Sequence, residues 1–241
     1  MKTQMPVNSL NLKALNTRFS RESPDEVLRW VKKKFNPRLA MITSFQVTGV
    51  VLLHLTKNIM GDITVYHIDT GYHFPETLEF KNRLIREWKL NVVTIKPKLT
   101  RRAFEKKYGK ELYRTNPDLC CQINKVEPLQ RLMRQSKIEA WISAIRRDQS
   151  PTRAEYTIFM RDQEGHLRIH PLINWDKEAV WEYVKKHNLP FHPLYDEGYS
   201  SIGCFPSSCT TRTTPDRQER DGRWVGKTKT ECGIHLDLEE E

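Results

Sequence analysis

Five cysteines are the residues whose type and spacing most directly indicate chemistry in this chain. They stand at positions 120, 121, 204, 209 and 232 of 241 residues. Four of them form two close pairs, and four thiolates can hold a tetrahedral zinc ion or an iron–sulfur cluster. The doublet Cys120–Cys121 favours the cluster, because adjacent thiols diverge too much for one small ion but can reach neighbouring irons. Buried, chemically idle thiols are the alternative.

Cys232 is the cysteine left over from those pairs. An odd number of cysteines argues against a disulfide framework. Cys232 lies in a polar segment with several lysines, and His235 follows three residues later. Cationic neighbours favour the thiolate, which is the nucleophilic form of cysteine. Cys232 is therefore a candidate nucleophile, and an idle surface thiol is the alternative.

Basic side chains are in excess, with a formal net charge of +10. Such an excess fits a nucleic acid, a nucleotide or an acidic protein as partner. Guanidinium and ammonium groups bind phosphate or sulfate through charge-assisted hydrogen bonds. The candidates for such binding are Lys125, Arg146, Arg147, Arg153, Arg212, Arg220 and Arg223. For any one of them, a solvated basic surface is the alternative.

Strand and helix patterns alternate through most of the chain and would position these residues. Ser23–Glu26 predicts a helix start, with Ser as the N-cap and Pro in the first turn. Strands are predicted at Leu39–Thr43, Ile63–Ile68, Asn91–Ile95, Trp141–Ile145 and Ile169–Leu172. Helices are predicted at Val50–Leu55, Pro75–Trp88 and Asp176–His187. This alternation predicts an α/β fold with a mostly parallel, doubly wound sheet. Its ligands should bind where loops 44–49 and 69–73 leave the strands.

Four motifs give the chain a resemblance to a known family. They are Cys120–Leu129 (CCQINKVEPL), Trp141–Arg153 (WISAIRRDQSPTR), Ser201–Cys204 (SIGC) and Lys229–His235 (KTECGIH). Together they resemble the assimilatory adenylyl-sulfate (APS) reductases, which belong with the 3′-phosphoadenylyl-sulfate (PAPS) reductases. The similarity extends from about residue 24 to 236.

The resemblance implies a fold, a reaction and a cofactor. The fold is of the adenine-nucleotide alpha-hydrolase-like type, with a C-terminal flexible lid. The reaction is attack of the Cys232 thiolate on the sulfur of APS, which leaves AMP and a Cys232 S-sulfonate. Thioredoxin or glutaredoxin then releases sulfite, in sulfate assimilation and cysteine biosynthesis. The cofactor is one [4Fe-4S] cluster per chain, held by Cys120, Cys121, Cys204 and Cys209.

Substrate-binding positions also follow from the resemblance. The anionic phosphosulfate would be held by Lys125, Arg146, Arg220 and Arg223. The nucleotide-binding turns would contain Ser44, Phe45, Gly49, Asp69, Thr70 and Gly71. Three units are implied: an N-terminal extension at 1–23, a nucleotide-binding reductase domain at 24–203, and a segment at 204–241. That last segment would carry the cluster loop, the arginine loop and the catalytic cysteine.

Three departures separate the chain from the family pattern. The second cysteine pair is usually C-x2-C, whereas Cys209 follows Cys204 by five positions and Ser207 takes the usual ligand place. We expect the longer loop to bulge and bring Cys209 to the cluster. Gln46 stands where relatives carry a small residue, and it places bulk near the nucleotide. Asn124 replaces a common arginine.

Rival functions remain at this point. A PAPS or dual-substrate reductase has the same fold and would need a cation for the ribose 3′-phosphate. An ATP-pyrophosphatase-type enzyme would need a Ser-Gly-Gly-x-Asp-Ser loop, which loop 44–49 lacks. A nucleic-acid-binding protein is favoured by charge alone, since no basic helix with interleaved aromatics supports it.

Location and assembly are less closely defined by the sequence. The N-terminus lacks the apolar segment of a secretory signal, and no apolar run reaches the ~18–20 residues that span a bilayer. We therefore expect a cytoplasmic protein with no membrane partner and no nucleic acid. A homo-oligomer is left open.

Overall fold

The computed structural model describes residues 7–205, 209–214 and 218–235, apart from the side chain of residue 8. Residues 1–6 of the predicted extension, Ser207 of the cysteine loop and the end of the predicted C-terminal segment lie outside these ranges. Within the described part of the chain, no helix has the length and apolar character to cross a membrane.

A six-stranded sheet forms the centre of the described structure. Its strands are β1 Leu39–Ile42, β2 Thr64–Ile68, β3 Val92–Ile95, β4 Ala140–Ile142, β5 Phe159–Arg161 and β6 Leu167–Ile169. Their order across the sheet is β3-β2-β1-β4-β6-β5. All neighbouring pairs are parallel except β5 with β6. The predicted mostly parallel α/β fold is confirmed.

The central strands consist of buried residues because helices cover both faces of the sheet. Every residue of β1 and β4 is buried. The chain passes from β1 to β2 on one side and β4 pairs with β1 on the other. The strand order therefore reverses between β1 and β4, and a crevice opens beyond their carboxyl ends.

Helices connect and cover these strands. They are α1 Leu12–Phe19, α2 Pro24–Phe35, α3 Val47–Met60, α4 Pro75–Trp88, α5 Arg101–Tyr108, α6 Leu112–Thr115, α7 Pro117–Cys121, α8 Glu127–Gln135 and α9 Lys177–Lys186. Short 3-10 segments lie at Val7–Ser9, Arg147–Gln149, Pro151–Arg153 and Pro193–Tyr195. Ser23 accepts a hydrogen bond from the backbone N–H of Glu26, which confirms the predicted helix start. The predicted helix Pro75–Trp88 is confirmed with the same bounds.

Three predicted elements need correction, and the first is the strand expected at Trp141–Ile145, which comprises Ala140–Ile142. The strand expected at Ile169–Leu172 ends at Ile169, because Pro171 has no N–H to donate to a ladder. The helix expected at Val50–Leu55 extends in both directions, to Val47–Met60.

The N-terminal segment closes one edge of the sheet. The amide of Asn16 donates to the carbonyl of Phe159 and accepts from its N–H, both at 2.9 Å. These two bonds replace a strand partner for β5, whose outer edge would otherwise be unpaired. Arg161 donates in addition to the carbonyl of Val7 at 3.0 Å. Residues 7–19 therefore have a structural role at this edge.

Candidate active site

An open cavity lies beyond the carboxyl ends of β1 and β4, at the position where ligands bind in doubly wound sheets. Among the predicted site residues, those on its wall are Ser44, Gly49, Thr70, Lys125, Cys204, Arg220, Arg223 and Cys232. The fold thus brings together residues that lie far apart in the sequence, such as Ser44 and Cys232.

Cys232 reaches this cavity on a segment without helix or strand. Its neighbour Glu231 is 1% exposed and accepts hydrogen bonds from Arg153 at 2.7 and 2.9 Å and from Arg220 at 3.0 Å. Burial alone would raise the pKa of Glu231, but the two guanidinium groups outweigh it and hold that pKa below its usual value. Glu231 is therefore a buried carboxylate that fixes the backbone next to Cys232.

His235 fixes the other side of Cys232. Its carbonyl accepts a hydrogen bond from Arg168 at 2.9 Å and another from the hydroxyl of Tyr156. Its ring stacks on Trp141 with centroids 5.7 Å apart. Burial and the nearby arginines lower the pKa of His235 well below its usual value, so its ring is neutral at pH 7. The histidine that follows Cys232 thus provides packing and hydrogen bonding, and no positive charge.

Lys125 supplies positive charge beside the cysteines. Burial opposes its charged form, but the electrostatic interaction with the side chains of Cys204, Cys121 and Cys232 raises its pKa above the ordinary value. Lys125 also lines two cavities, the one beyond β1 and β4 and a smaller one bounded by cysteines. An ammonium group at this position can contact anions in both.

Arg223 approaches the cavity from the same polar segment. Its Nε donates to the carbonyl of Cys209 at 2.8 Å, and its Nη1 to the hydroxyl of Ser201 at 3.3 Å. A side chain at Gly203 would collide with the guanidinium, since a Cβ there would lie 2.2 Å from Nη2. Gly203 in the SIGC motif therefore makes room for Arg223.

The other three arginines of the basic group do not line the cavity. Arg146 is 1% exposed, pairs with Asp148 and Glu219, and donates to Thr48. Arg147 donates to the carbonyl of Tyr156, and Arg212 forms an exposed pair with Glu197. Of this group, Lys125, Arg153, Arg220 and Arg223 line the cavity.

The predicted nucleotide turns lie at the cavity's sheet side. Ser44 and Gly49 line it at the start of α3, and Thr70 lines it after β2. Phe45 is fully buried at φ +58°, with its ring against His67. Asp69 Oδ1 accepts from the N–H of Gly71, whose φ of +75° suits glycine. Phe45, Asp69 and Gly71 therefore shape the turns, and Ser44, Gly49 and Thr70 contribute to the wall.

Gln46 joins two walls of the cavity. Its side-chain carbonyl accepts from the N–H of Ile202 at 2.8 Å and from the hydroxyl of Ser201 at 3.4 Å. Its amide donates to the hydroxyl of Ser44 at 3.1 Å. The Gln46 side chain, which is larger than the small residue expected from the family pattern, thus links loop 44–49 to the SIGC motif.

Four cysteines line the smaller cavity, and all four are buried: Cys120, Cys121, Cys204 and Cys209. They pack in one cluster with Trp224, and Cys232 contacts that cluster. Burial and the neighbouring thiols raise the pKa of Cys120 to about 12. Burial likewise raises the pKa of Cys121 to about 11.

The helix that carries the cysteine doublet is locally widened. A π-helical segment, Gln122–Val126, separates α7 from α8. Pro128 explains this, because proline has no N–H for the α-helical bond to Asn124 and its ring would crowd that carbonyl. Asn124 is 3% exposed, and its amide donates to the carbonyl of Cys120 at 3.1 Å and lies 3.7 Å from its sulfur. The residue that replaces a family arginine thus orients Cys120.

The donor set fits a cluster better than a single ion. Within the described ranges, no three His, Cys, Asp or Glu side chains come close enough to bind one metal ion. A zinc ion would need ligand atoms about 2.3 Å from one centre, whereas an iron–sulfur cluster spreads its thiolates over several irons. Four buried thiols around one cavity match the second arrangement.

Two residues of this site have no counterpart among the predicted site residues. Glu231 precedes Cys232 in the sequence, but its arginine partner Arg153 is 78 positions away. Trp224 is 1% exposed and lines the cavity at φ +47°. The sequence offered one signal for each residue. Glu231 is an acid next to the candidate nucleophile, and Trp224 is a tryptophan between basic residues.

Comparison with known proteins shows what this chain is similar to. Residues 38–210 match the family described as the phosphoadenosine phosphosulfate reductase domain. A protein from Bacillus cytotoxicus named adenosine 5′-phosphosulfate reductase is 43% identical over 211 residues, covering 87% of this chain and 88% of that protein.

Solved structures with similar folds extend the comparison. Phosphoadenylyl-sulfate (PAPS) reductase from Candida auris, solved as a phosphate complex, is 31% identical with a TM-score of 0.72, covering 80% of this chain and 94% of that one. FMN adenylyltransferase from Candida glabrata, solved with ATP, is 15% identical with a TM-score of 0.56, covering 93% of this chain and 79% of that one. The second likeness concerns the fold alone. The predicted adenine-nucleotide alpha-hydrolase-like fold is confirmed.

Proposed function

Because the chain belongs to the phosphoadenosine phosphosulfate reductase domain family, we propose that it reduces APS to sulfite and AMP, with thioredoxin or glutaredoxin as the reductant. The observation that carries this proposal is the position of Cys232, on the wall of one cavity with Lys125, Arg220 and Arg223. A nucleophilic thiol and three cations there suit a substrate with a negatively charged leaving group. The relatives named adenosine 5′-phosphosulfate reductase support APS as the substrate.

The proposed first step transfers the sulfonyl group to the enzyme. The Cys232 thiolate attacks the sulfur of APS and forms an S–S bond. The bond between that sulfur and the phosphate oxygen breaks, and AMP leaves with the electron pair. The cations of Lys125 and Arg223 stabilise the negative charge that gathers on the phosphate.

The proposed second step restores the enzyme. A reductant thiolate attacks the sulfur of Cys232, and sulfite leaves as a mixed disulfide forms. A second thiol of thioredoxin or glutaredoxin resolves that disulfide and returns the Cys232 thiolate. The reductant is oxidised by two electrons, which balances the reduction of sulfate to sulfite.

We infer that the AMP part lies against the sheet. Ser44 and Gly49 line the cavity at the N-terminus of α3, where backbone N–H groups attract phosphate. A Cβ at Gly49 would lie 2.6 Å from the hydroxyl oxygen of Thr43, so a side chain there would displace the turn. Thr70 provides a hydroxyl at the end of β2. In this placement the phosphosulfate extends toward Cys232.

We also infer that Cys120, Cys121, Cys204 and Cys209 hold a [4Fe-4S] cluster. Their burial around one cavity supports this ligand set. When bound, the cluster supplies an electrostatic field beside the substrate. Lys125, Thr70 and Cys204 line both the cysteine cavity and the substrate cavity. Lys125 is thus placed to hold a substrate oxygen next to the cysteines.

A PAPS reductase is the second candidate function. The likeness to the Candida auris PAPS reductase, at 31% identity, favours it. PAPS carries an additional ribose 3′-phosphate, which needs a further cation. Of the arginines on the wall, Arg153 and Arg220 are both paired with Glu231. The product in that case is adenosine 3′,5′-bisphosphate.

The test is a single-turnover experiment on the cluster-containing protein prepared without oxygen. With APS and no reductant, the wild type should gain the mass of one SO3 group on the peptide that contains Cys232. Cys232→Ser should gain none, and Thr228→Ala, at an exposed position of the same segment, should behave as wild type. Absence of an adduct with both APS and PAPS would overturn the proposed mechanism. Comparing turnover of APS and PAPS with thioredoxin separates the two candidate functions.

A further inference from the structure

Trp224 carries a polar group for which the described structure holds no partner. Its side chain is 1% exposed, yet its indole N–H meets no hydrogen-bond acceptor among the described residues. A buried donor without an acceptor is costly. Indole has no other polar atom, so this N–H can only donate. The N–H is therefore available to an acceptor on a bound ligand.

The surroundings of Trp224 identify the charge of that acceptor. Arg223 lies 4.5 Å from the ring centroid, Lys229 5.3 Å and Arg220 5.9 Å. Three cations around one ring draw electron density from the indole and strengthen its N–H as a donor. Arg220 has a buried Nε that also has no acceptor within the described residues. Two buried donors among positive charges fit an anion with several oxygens.

The backbone holds Trp224 in place for this contact. Its φ of +47° is uncommon for a bulky residue and persists only where neighbouring structure enforces it. The N–H of Arg223 donates to the carbonyl of Arg220, and the N–H of Lys227 to the carbonyl of Trp224, both at 2.9 Å. These bonds form consecutive turns that place Arg220, Arg223 and Trp224 on one wall of the substrate cavity.

We propose that the indole N–H of Trp224 donates a hydrogen bond to a sulfonyl oxygen of the bound phosphosulfate. The proposal rests on the function proposed above and adds a residue that positions the group to be transferred. Trp224 lines the substrate cavity together with Cys232, whereas it is absent from the wall of the smaller cysteine cavity. A substrate oxygen is therefore favoured over a cluster sulfide as the acceptor. The bond orients the sulfur toward Cys232 and persists as the SO3 group moves to the thiolate.

The experiment replaces the N–H without changing the shape of the ring. β-(3-Benzothienyl)alanine, in which sulfur takes the place of the indole N–H, is introduced at position 224 of the cluster-containing protein. The matched control carries the same residue at Trp175, which packs on Tyr183 and does not line the cavity. Trp224→Phe is a second variant, and thermal melting shows that each protein is folded.

Four measurements decide the outcome. We expect adduct formation on Cys232 to slow by roughly 10- to 100-fold in the Trp224 variant. Affinity for APS should fall, while affinity for AMP, which has no sulfonyl group, and the iron content should stay at wild-type values. The Trp175 control should match wild type in all four.

Two results would overturn the proposal. A loss of iron with unchanged APS affinity would assign the N–H to the cluster. Equal adduct rates and equal APS affinities in variant and wild type would show that the N–H does not contact the sulfonyl group. Failure of the proposed function is a separate result, because the wild type would then form no adduct. The comparison of APS with AMP affinity would still test the hydrogen bond.

Discussion

Arg153 donates two hydrogen bonds to the carboxylate of Glu231, from Nε at 2.7 Å and from Nη2 at 2.9 Å. Both side chains are buried, and Arg220 adds a third bond to the same carboxylate at 3.0 Å. Such two-pronged pairs fix orientation as well as distance. Since Cys232 follows Glu231 directly, this pair sets where the candidate nucleophile lies.

Glu231→Gln should release this segment from the domain. The change leaves two guanidinium groups buried beside a neutral amide, and breaking a buried ion pair from one side costs about 3 kcal/mol or more. We expect faster amide hydrogen exchange across residues 225–235 and slower formation of the Cys232 adduct. Asp118→Asn is the matched control, because Asp118 pairs with Lys229 of the same segment but is 76% exposed. That exposed pair should contribute less than about 1 kcal/mol. Equal exchange in the two variants would contradict the anchoring role of Glu231.

Helices α2, α3, α4 and α9 and the central strands were predicted because their signals are local. Pro75 in the first turn and apolar residues at helical spacing define α4 within its own sequence. β5 was not predicted, since three residues carry too little periodicity and its outer edge is paired by the distant Asn16. Helices with strong end signals thus follow from nearby residues, and short edge strands depend on contacts that the sequence does not display.

The site was predictable in its residues but not in their pairing. Motif resemblance pointed to Lys125, Arg220 and Arg223, and the fold places all three on one cavity wall. The ion pair of Arg146 with Glu219 depends on packing between segments that are 73 positions apart in the chain. The unpartnered indole of Trp224 is likewise a property of the folded chain, because a missing hydrogen bond leaves no trace in a residue pattern.

His192 should make stability depend on pH below neutrality. It is fully buried, its Nδ1 accepts from the N–H of Leu194 at 3.2 Å, and its Nε2 lies 2.8 Å from the hydroxyl of Thr77. Burial lowers the pKa of His192 to about 4. The unfolded chain binds a proton at His192 near pH 6.5, whereas the folded chain binds it near pH 4. The contribution of neutral His192 to the free energy of unfolding is therefore complete above pH 6.5 and is lost as the pH falls toward about 4.

The corresponding measurement is the free energy of unfolding in urea between pH 7 and pH 4. A shift from 6.5 to about 4 corresponds to ~3 kcal/mol from this one group. His192→Gln keeps a hydrogen-bonding side chain without a titrating group. Its free energy of unfolding should therefore fall between pH 7 and pH 4 by ~3 kcal/mol less than that of the wild type. His166→Gln, at a partly exposed histidine beside Asp162, should not reduce this pH-dependent fall in the free energy of unfolding. An unchanged slope in His192→Gln would contradict the buried neutral state.

Gln46→Ala should weaken nucleotide binding by separating two cavity walls. The change removes the acceptor of the Ile202 N–H at 2.8 Å and the donor to Ser44 at 3.1 Å. An unsatisfied N–H in a part-buried position costs ~1–3 kcal/mol. We expect the dissociation constant for AMP to rise about tenfold, measured by calorimetry. Gln46→Glu keeps the acceptor for Ile202 and should bind adenosine, which has no phosphate to be repelled by the new carboxylate, more tightly than Gln46→Ala. The reverse order would contradict this role.

Cys209→Ser should lower the iron content if the longer Cys204–Cys209 loop supplies the fourth thiolate. Cys209 is buried on the wall shared with Cys120 and Cys121, and its carbonyl accepts from Arg223 at 2.8 Å. Serine has nearly the same size but is a much poorer ligand for iron, so packing is kept while ligation is lost. The iron and sulfide bound per chain, after anaerobic reconstitution, should fall as far as they do in Cys120→Ser. Cys232→Ser is the control and should retain full iron, since Cys232 does not line the cysteine cavity. Full iron in Cys209→Ser would assign the fourth ligand to another group.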